Sequence, residues 1–410
     1  MGCSSAAGGG CEGAVFVPED GGRDAIATSG DAGDGPSTDA SARDAALDAG
    51  GTCLVVSDVA LGRVHTCAID VTQGLWCWGA AHDGRLGLDG TGTAETVDAP
   101  SALDGRWDDV AAGESHTCAL TSDGYLFCWG DNSRLQQGAT SPAIVTVPTR
   151  IATADRFVSV EAGLYHTCAL RSDGALVCFG ANESGQLGRG DRSATSPGPA
   201  RVGTRTYERY ALGDNHSCAI VAAGGALFCW GSNGTGQLGL GATPEALVPT
   251  SVPLVGGAAS VAAGWAFTCA LSADGELSCT GANDAGELGV GDAVNRDAFE
   301  YVSGGRSFSD VTAGAEFTCA VEQGSGAGWC WGSNFWGQLG TGIASAADET
   351  SPQPVMFERA LARVEAGQHH VCAITRADEL YCWGANEYHQ LGLGPAFPDD
   401  RTPLPHRVCF

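Results

Sequence analysis

From about residue 53 to its end the chain alternates apolar and polar residues over short stretches broken by Gly, Asn and Asp. Glu161 to Gly190 shows the unit: EAGLYHTCALRSDGALVCFGANESGQLGRG. An Ala-Gly leads into one alternation (HTCAL), a Ser-Asp-Gly turn into a second (ALVCFG), and a polar Gly/Asn loop into a Pro-flanked Val stretch. Short strands with regular turn signals predict an all-β fold. The first cysteine of the unit recurs at Cys67, Cys118, Cys168, Cys218, Cys269, Cys319 and Cys372, at steps of 50 or 51 residues with a last step of 53. Seven copies of this length indicate a solenoid or a propeller.

Hairpin register follows from the second cysteine. Cys118 and Cys128 lie symmetrically about Asp123, leaving Ser122, Asp123 and Gly124 as a three-residue loop with Gly able to take the left-handed position. Cys67 and Cys77, Cys168 and Cys178, Cys269 and Cys279, and Cys372 and Cys382 repeat the arrangement. Cys218 with Cys229, and Cys319 with Cys330, are one residue further apart, which a longer turn absorbs. Phe127 and Trp129 alternate with Leu126 and Cys128, as in a strand buried on both faces. Radial blades that pack on one another answer that requirement and leave few open edges, so a seven-bladed β-propeller of four-stranded antiparallel blades is expected over 53–410.

Opposed cysteines in every copy predict disulfides and hence an oxidising compartment, the alternative being buried free thiols packed as small apolar groups. Zinc fits less well, because a hairpin offers two thiols and no further ligand recurs beside them. Cys53 and Cys409 map onto one position of the repeat from opposite ends of the ring, so a bridge between them should seal it. Chain entropy assigns such a closure about 6 kcal/mol as an upper figure, against roughly 2 to 3 kcal/mol for a hairpin bridge.

Residues 1–52, rich in Gly, Ala, Ser and Asp, cannot bury enough to order themselves and read as a tether. The Gly2-Cys3-Ser4-Ser5 start is similar to that of a mature bacterial lipoprotein, with Cys3 as lipidation site; myristoylation fails because Ala6 stands where Ser or Thr is needed. Cys11 has no assigned role. The net charge of −27, with 21 Arg and no Lys, disfavours nucleic acid and anionic membrane surfaces as partners. A membrane is expected only through the lipid.

The matching segments GANESGQLGRG (Gly180 to Gly190), WGSNGTGQLGLG (Trp230 to Gly241) and WGSNFWGQLGTG (Trp331 to Gly342) resemble the repeat of the regulator of chromosome condensation family. The resemblance implies a seven-bladed propeller. It leaves function open, since the family includes exchange factors, ubiquitin-ligase modules, a plant photoreceptor and a secreted β-lactamase inhibitor. The paired cysteines depart from the eukaryotic pattern and point to an exported, bacterial member. Without a basic tail or room for a protruding wedge, Ran-type exchange is not expected.

Recurrent His65, His116, His166, His216 and His370 give way to Phe267 and Phe317, so packing rather than proton transfer is their expected role. Trp78, Trp129, Trp230, Trp331 and Trp383, replaced by Phe179 and Thr280, read as inter-blade core. No phosphate loop or hydrolase motif occurs; no enzyme, cofactor or metal site is expected. Binding is the better reading. The loops after the first and third strands share one rim, where Trp265, Phe335, Trp336, His369 and Tyr388 make a large-residue sector in copies five to seven, with Tyr165 apart. Glu114, Asp131, Glu183 and Asp214 make an acidic sector. Gly264-Trp265-Ala266-Phe267-Thr268 partly matches the dimer-forming segment of the photoreceptor relative but lacks its Arg, so a monomer is expected. The leading expectation is an envelope protein that presents this rim to a protein or peptide; an enzyme using the central channel, or a spacer, are the alternatives.

Overall fold

The computed structural model describes residues 53–88, 96–138, 140, 142–395 and 397–409. Cys3, Cys11 and the expected tether lie outside them. The strands form seven four-stranded antiparallel sheets, each an up-and-down meander of consecutive strands. In the first blade these are β1 (Val56–Leu61), β2 (His65–Asp70), β3 (Leu75–Ala80) and β4 (Thr96–Leu103). First strands line a central channel, and the fourth strands, with Pro in six of the seven, form the outer edge. Proline cannot donate to a further strand, which protects an exposed edge.

Register agrees with the cysteine spacing: Cys118 opposes Cys128, Leu120 opposes Leu126, and Gly124 has a φ of 75°. All seven hairpin pairs are disulfides, and Cys53 is bonded to Cys409. Second strands are buried along nearly their whole length. Third strands are less uniformly buried than their alternation implies, because Trp76, Phe127 and Trp329 lie half-exposed toward the hairpin ends. There Trp107 packs edge-on against Phe127, and the Arg306 guanidinium covers the Trp329 ring at 3.4 Å.

One junction repeats around the ring. A backbone N–H at or just before the start of each first strand donates to the hairpin-turn carbonyl of the preceding blade: Trp107 to Gln73, Phe157 to Gly124, Tyr207 to Gly174, Ala258 to Gly225, Phe308 to Gly275 and Leu361 to Gly326. Val56 donates to Asp378 at 2.8 Å in the same way, so the last blade receives the first through the bond used everywhere else. Leu54 N–H to the Val408 carbonyl and the Cys53–Cys409 disulfide lie beside it.

A second belt runs through the buried polar core. The Thr117 hydroxyl donates to the Arg85 carbonyl of the preceding blade at 2.8 Å, which leaves its oxygen to accept from His65 Nε2–H at 2.9 Å. The same relay joins His116 to Thr167, His166 to Ser217, His216 to Thr268 and His370 to Thr66. Burial keeps these imidazoles neutral, depressing His116 and His216 to about 4 and His166 and His370 to about 3. The carbonyl that takes the hydroxyl also takes an indole: Trp129 Nε1–H reaches Arg85 O at 2.8 Å, and Trp230 reaches Gln186 O at 2.8 Å.

Where Phe317 replaces the histidine, the following blade carries Val371 in place of the hydroxyl, and both are fully buried. Donor and acceptor have been exchanged together for an apolar contact. Phe317→His should therefore strand a buried N–H against Val371 and lower stability by about 1–3 kcal/mol, while Val371→Thr in the same chain should recover most of the loss. Urea midpoints of the two single variants and the double variant check this; absence of recovery contradicts the pairing.

Candidate functional site

In the second to seventh blades an Asn and a Gln (Glu287 in the fifth) fix the loop after the third strand, while the first has Ala81 and Arg85 in their places. In the sixth blade Asn334 Oδ1 accepts from Leu339 N–H at 3.2 Å, and Gln338 Oε1 accepts from Trp336 N–H at 2.8 Å. Asn386 and Gln390 repeat this in the seventh, where Tyr388 N–H is the bonded amide. The loop after the first strand lies alongside: Ala385 N–H donates to the His369 carbonyl at 2.9 Å. Residues at the loop tips are thus free to vary on a fixed frame.

Phe335, Trp336, His369 and Tyr388 come together on this rim. Phe335 and Trp336 meet edge-on with ring centroids 5.1 Å apart, and Trp336 lies over His369 at 6.3 Å. Trp336, His369 and Tyr388 line a groove of about 400 Å³ with Gln368, Glu387 and Gln390. Its far side belongs to the first two blades: Arg63, His82, Asp83, Arg85, Glu114 and Ser115. His82 and Tyr388 stand 6.2 Å apart across the seventh-to-first junction. Burial, then the Arg63 charge, depresses His369 to about 4, so its ring is neutral.

Sequence reasoning missed the first-blade contribution. Arg63 and His82 occupy the repeat positions of Gln368 and Glu387, and only ring closure makes the first blade a neighbour of the seventh. Arg85 stands where the repeat has Gln. Its guanidinium is buried and donates to the His82 carbonyl, the Glu114 carbonyl, Asp83 Oδ2 and Ser115 Oγ.

Trp265 and Tyr165 lie elsewhere on the rim. Trp265, half-exposed, stands at the mouth of the channel and hydrogen-bonds the Asp214 carboxyl, which burial and then Glu114 raise to about 8. Mouth and groove share Arg63, Glu114 and Gln368 in their linings, so the two adjoin. The Arg134 guanidinium lies 5.8 Å from the Tyr165 ring centroid. The acidic sector is not a bare negative field: Arg63 pairs with Glu114, and Arg134 pairs with Glu183.

Behind the mouth the channel holds a lumen of about 820 Å³ lined by Asp58, Asp109, Glu161, Tyr210, Asp310, Arg363 and Glu365 among others. Such a set is what a channel enzyme would need, yet much of it joins blades. Asp109 Oδ2 accepts from Val160 N–H at 2.7 Å and Asp310 Oδ2 from Val364 N–H at 2.9 Å, capping innermost-strand donors that no fifth strand covers. Arg363 spans the closure, donating to Asp58 Oδ1 at 2.9 Å and Glu365 Oε1 at 3.0 Å.

The RCC1-like domain family matches residues 27–307, and the regulator of chromosome condensation (RCC1) repeat matches 325–374 and 377–410. The chain belongs to the RCC1-like family. This RCC1-like propeller is 32% identical to the ultraviolet-B receptor UVR8 of Arabidopsis thaliana over 354 residues, covering 82% of this chain and 78% of the receptor. Human HERC4, a probable E3 ubiquitin-protein ligase, is 30% identical over 208 residues, which are 48% of this chain and 19% of HERC4. Among solved structures, Prp20p of Saccharomyces cerevisiae superposes with a TM-score of 0.73 at 22% identity, covering 89% of each chain, and human WBSCR16 with 0.73 at 22% identity, covering 82% of this chain and 94% of WBSCR16. At that identity the likeness concerns the fold.

Glu161 is exposed to the lumen, and desolvation by the enclosing channel wall followed by the charges of Asp109, Glu365 and Asp58 raises its pKa well above its ordinary 4.5. A carboxyl whose folded pKa is raised contributes its full stability below the unfolded value and loses it as pH climbs toward the folded one. Glu161→Gln should thus match the parent near pH 4.5 and exceed it in urea midpoint above neutrality. Equal midpoints at both pH values would contradict this assignment.

Proposed function

We propose that this RCC1-like propeller is a protein-binding module, and that the rim formed by Trp265, Phe335, Trp336, His369 and Tyr388, with Tyr165 farther round, receives the partner. The observation that carries the reading is the groove itself: rigidly held loops present large, partly exposed aromatic residues beside charged ones, the composition of an interface centre with its rim. Family membership supports a binding role, since one solved relative is described by its binding to Gsp1p and histones. The eight disulfides support an oxidising compartment. From the paired cysteines and the Gly2-Cys3 start we extend this to an exported bacterial protein of the cell envelope, tethered through a lipid on Cys3 and monomeric.

Affinity capture from an envelope extract, with wild type and a Trp265→Ala, Trp336→Ala double variant as baits, tests the role. Loss of an aromatic anchor typically costs at least about 2 kcal/mol, so a genuine partner should be depleted more than tenfold on the variant. Identical capture by both baits, or none by either, rejects the rim and favours the spacer.

A further inference from the structure

The groove's charges are unevenly satisfied. Arg63 is paired with Glu114, and Arg85 with Asp83, so both arginines in the lining are already neutralised. His369 is neutral. These pairings leave little for an anionic ligand to bind. Glu387 differs: it is exposed, lines the groove between the aromatic Tyr388 and the buried Asn386, and has no hydrogen bond or ion pair among the described residues. Asp400 adds a second negative charge near enough to raise the Glu387 pKa, after the effect of burial. The groove therefore combines aromatic faces with one unpaired carboxylate, on a protein of net charge −27.

Aromatic faces attract cations through the ring quadrupole, and guanidinium alone both stacks on a ring and pairs a carboxylate through two parallel N–H donors. Building on the protein-binding reading, we infer that the groove between the sixth, seventh and first blades seats an arginine side chain from a basic segment of the partner, with Trp336 and Tyr388 as aromatic walls and Glu387 as counter-ion. The net negative charge steers such a segment toward the protein, and the groove selects the residue. An ammonium group fits less well, since it lacks the planar face.

A short capped peptide, Gly-Arg-Gly-Arg-Gly, titrated calorimetrically against the full chain at physiological salt, tests the assignment beside its Lys and citrulline counterparts. The Arg peptide should bind, the Lys peptide more weakly, and the uncharged citrulline peptide not measurably. Glu387→Gln should weaken the Arg peptide by about tenfold and Trp336→Ala by about fivefold. Asp274→Asn removes the same charge from an exposed hairpin turn on the opposite rim and should change nothing. Equal weakening by Glu387→Gln and Asp274→Asn would mean bulk attraction and overturn the proposal; so would equal binding of the citrulline peptide, or no binding of the Arg peptide up to about 5 mM. Glu387→Gln also separates this proposal from the broader one. A captured partner lost from Trp336→Ala but fully kept by Glu387→Gln overturns the arginine assignment and leaves the rim intact, whereas a partner kept by both overturns the rim.

Discussion

At most blade junctions a single backbone carbonyl takes two buried donors from the blade that follows. In the third blade it is the carbonyl of Gln186, which accepts the Ser217 hydroxyl at 2.9 Å and the Trp230 indole at 2.8 Å. The hydroxyl in turn accepts from His166 Nε2–H of the third blade itself, so buried carbonyl, hydroxyl, indole and imidazole are joined in one cluster across the junction. Leaving any one unpaired in so buried a site costs about 1–3 kcal/mol; the Phe317 junction removes imidazole and hydroxyl together, whereas Thr318, opposite Phe267, keeps its hydroxyl by donating it to the Glu287 carbonyl at 2.7 Å. Thr280 stands in for the indole and donates to the Gly236 carbonyl at 2.9 Å. Phe317 faces Val371, with neither donor nor acceptor left over.

Because the junction fixes the blades, the chain can spend variation at the loop tips. The Asn and Gln of the sixth and seventh third-strand loops bond the loop amides internally, so the side chains of Phe335, Trp336, Glu387 and Tyr388 are not needed for that frame. The lumen shows the opposite case. Its carboxylates suggest chemistry by composition, but Asp109 and Asp310 cap the N–H groups of the adjoining innermost strand, a task created by leaving that edge facing the axis. Chemistry-bearing residue types at an axis are therefore weaker signs of function here than unengaged ones at the rim.

Much of the fold was legible because the repeat states it seven times: strand register from the cysteines, and ring closure from Cys53 and Cys409 falling on one repeat position. Pairings that cross from one repeat to the next were not legible in the same way. Histidine was correctly read as structural, yet its hydroxyl partner lies a full blade away, about 51 residues on. The Phe317 and Val371 exchange was the available signal. The rim was only half legible for a related reason. Its aromatic residues follow from loop position, but Arg63 and His82 become their neighbours only when the chain's ends meet, and the pairing of Arg63 with Glu114 removes negative charge that sequence alone would leave exposed.

A closed ring requires the seventh junction to be the same as the other six. Hydrogen exchange of the junction amides in the oxidised protein measures that directly. Val56, bonded to the Asp378 carbonyl, should be protected to the same degree as Trp107, Phe157, Tyr207, Ala258, Phe308 and Leu361. Exchange of Val56 at the rate of a surface loop, with the other six protected, would mean that the ring is open between its last and first blades and that the groove shared between them does not exist.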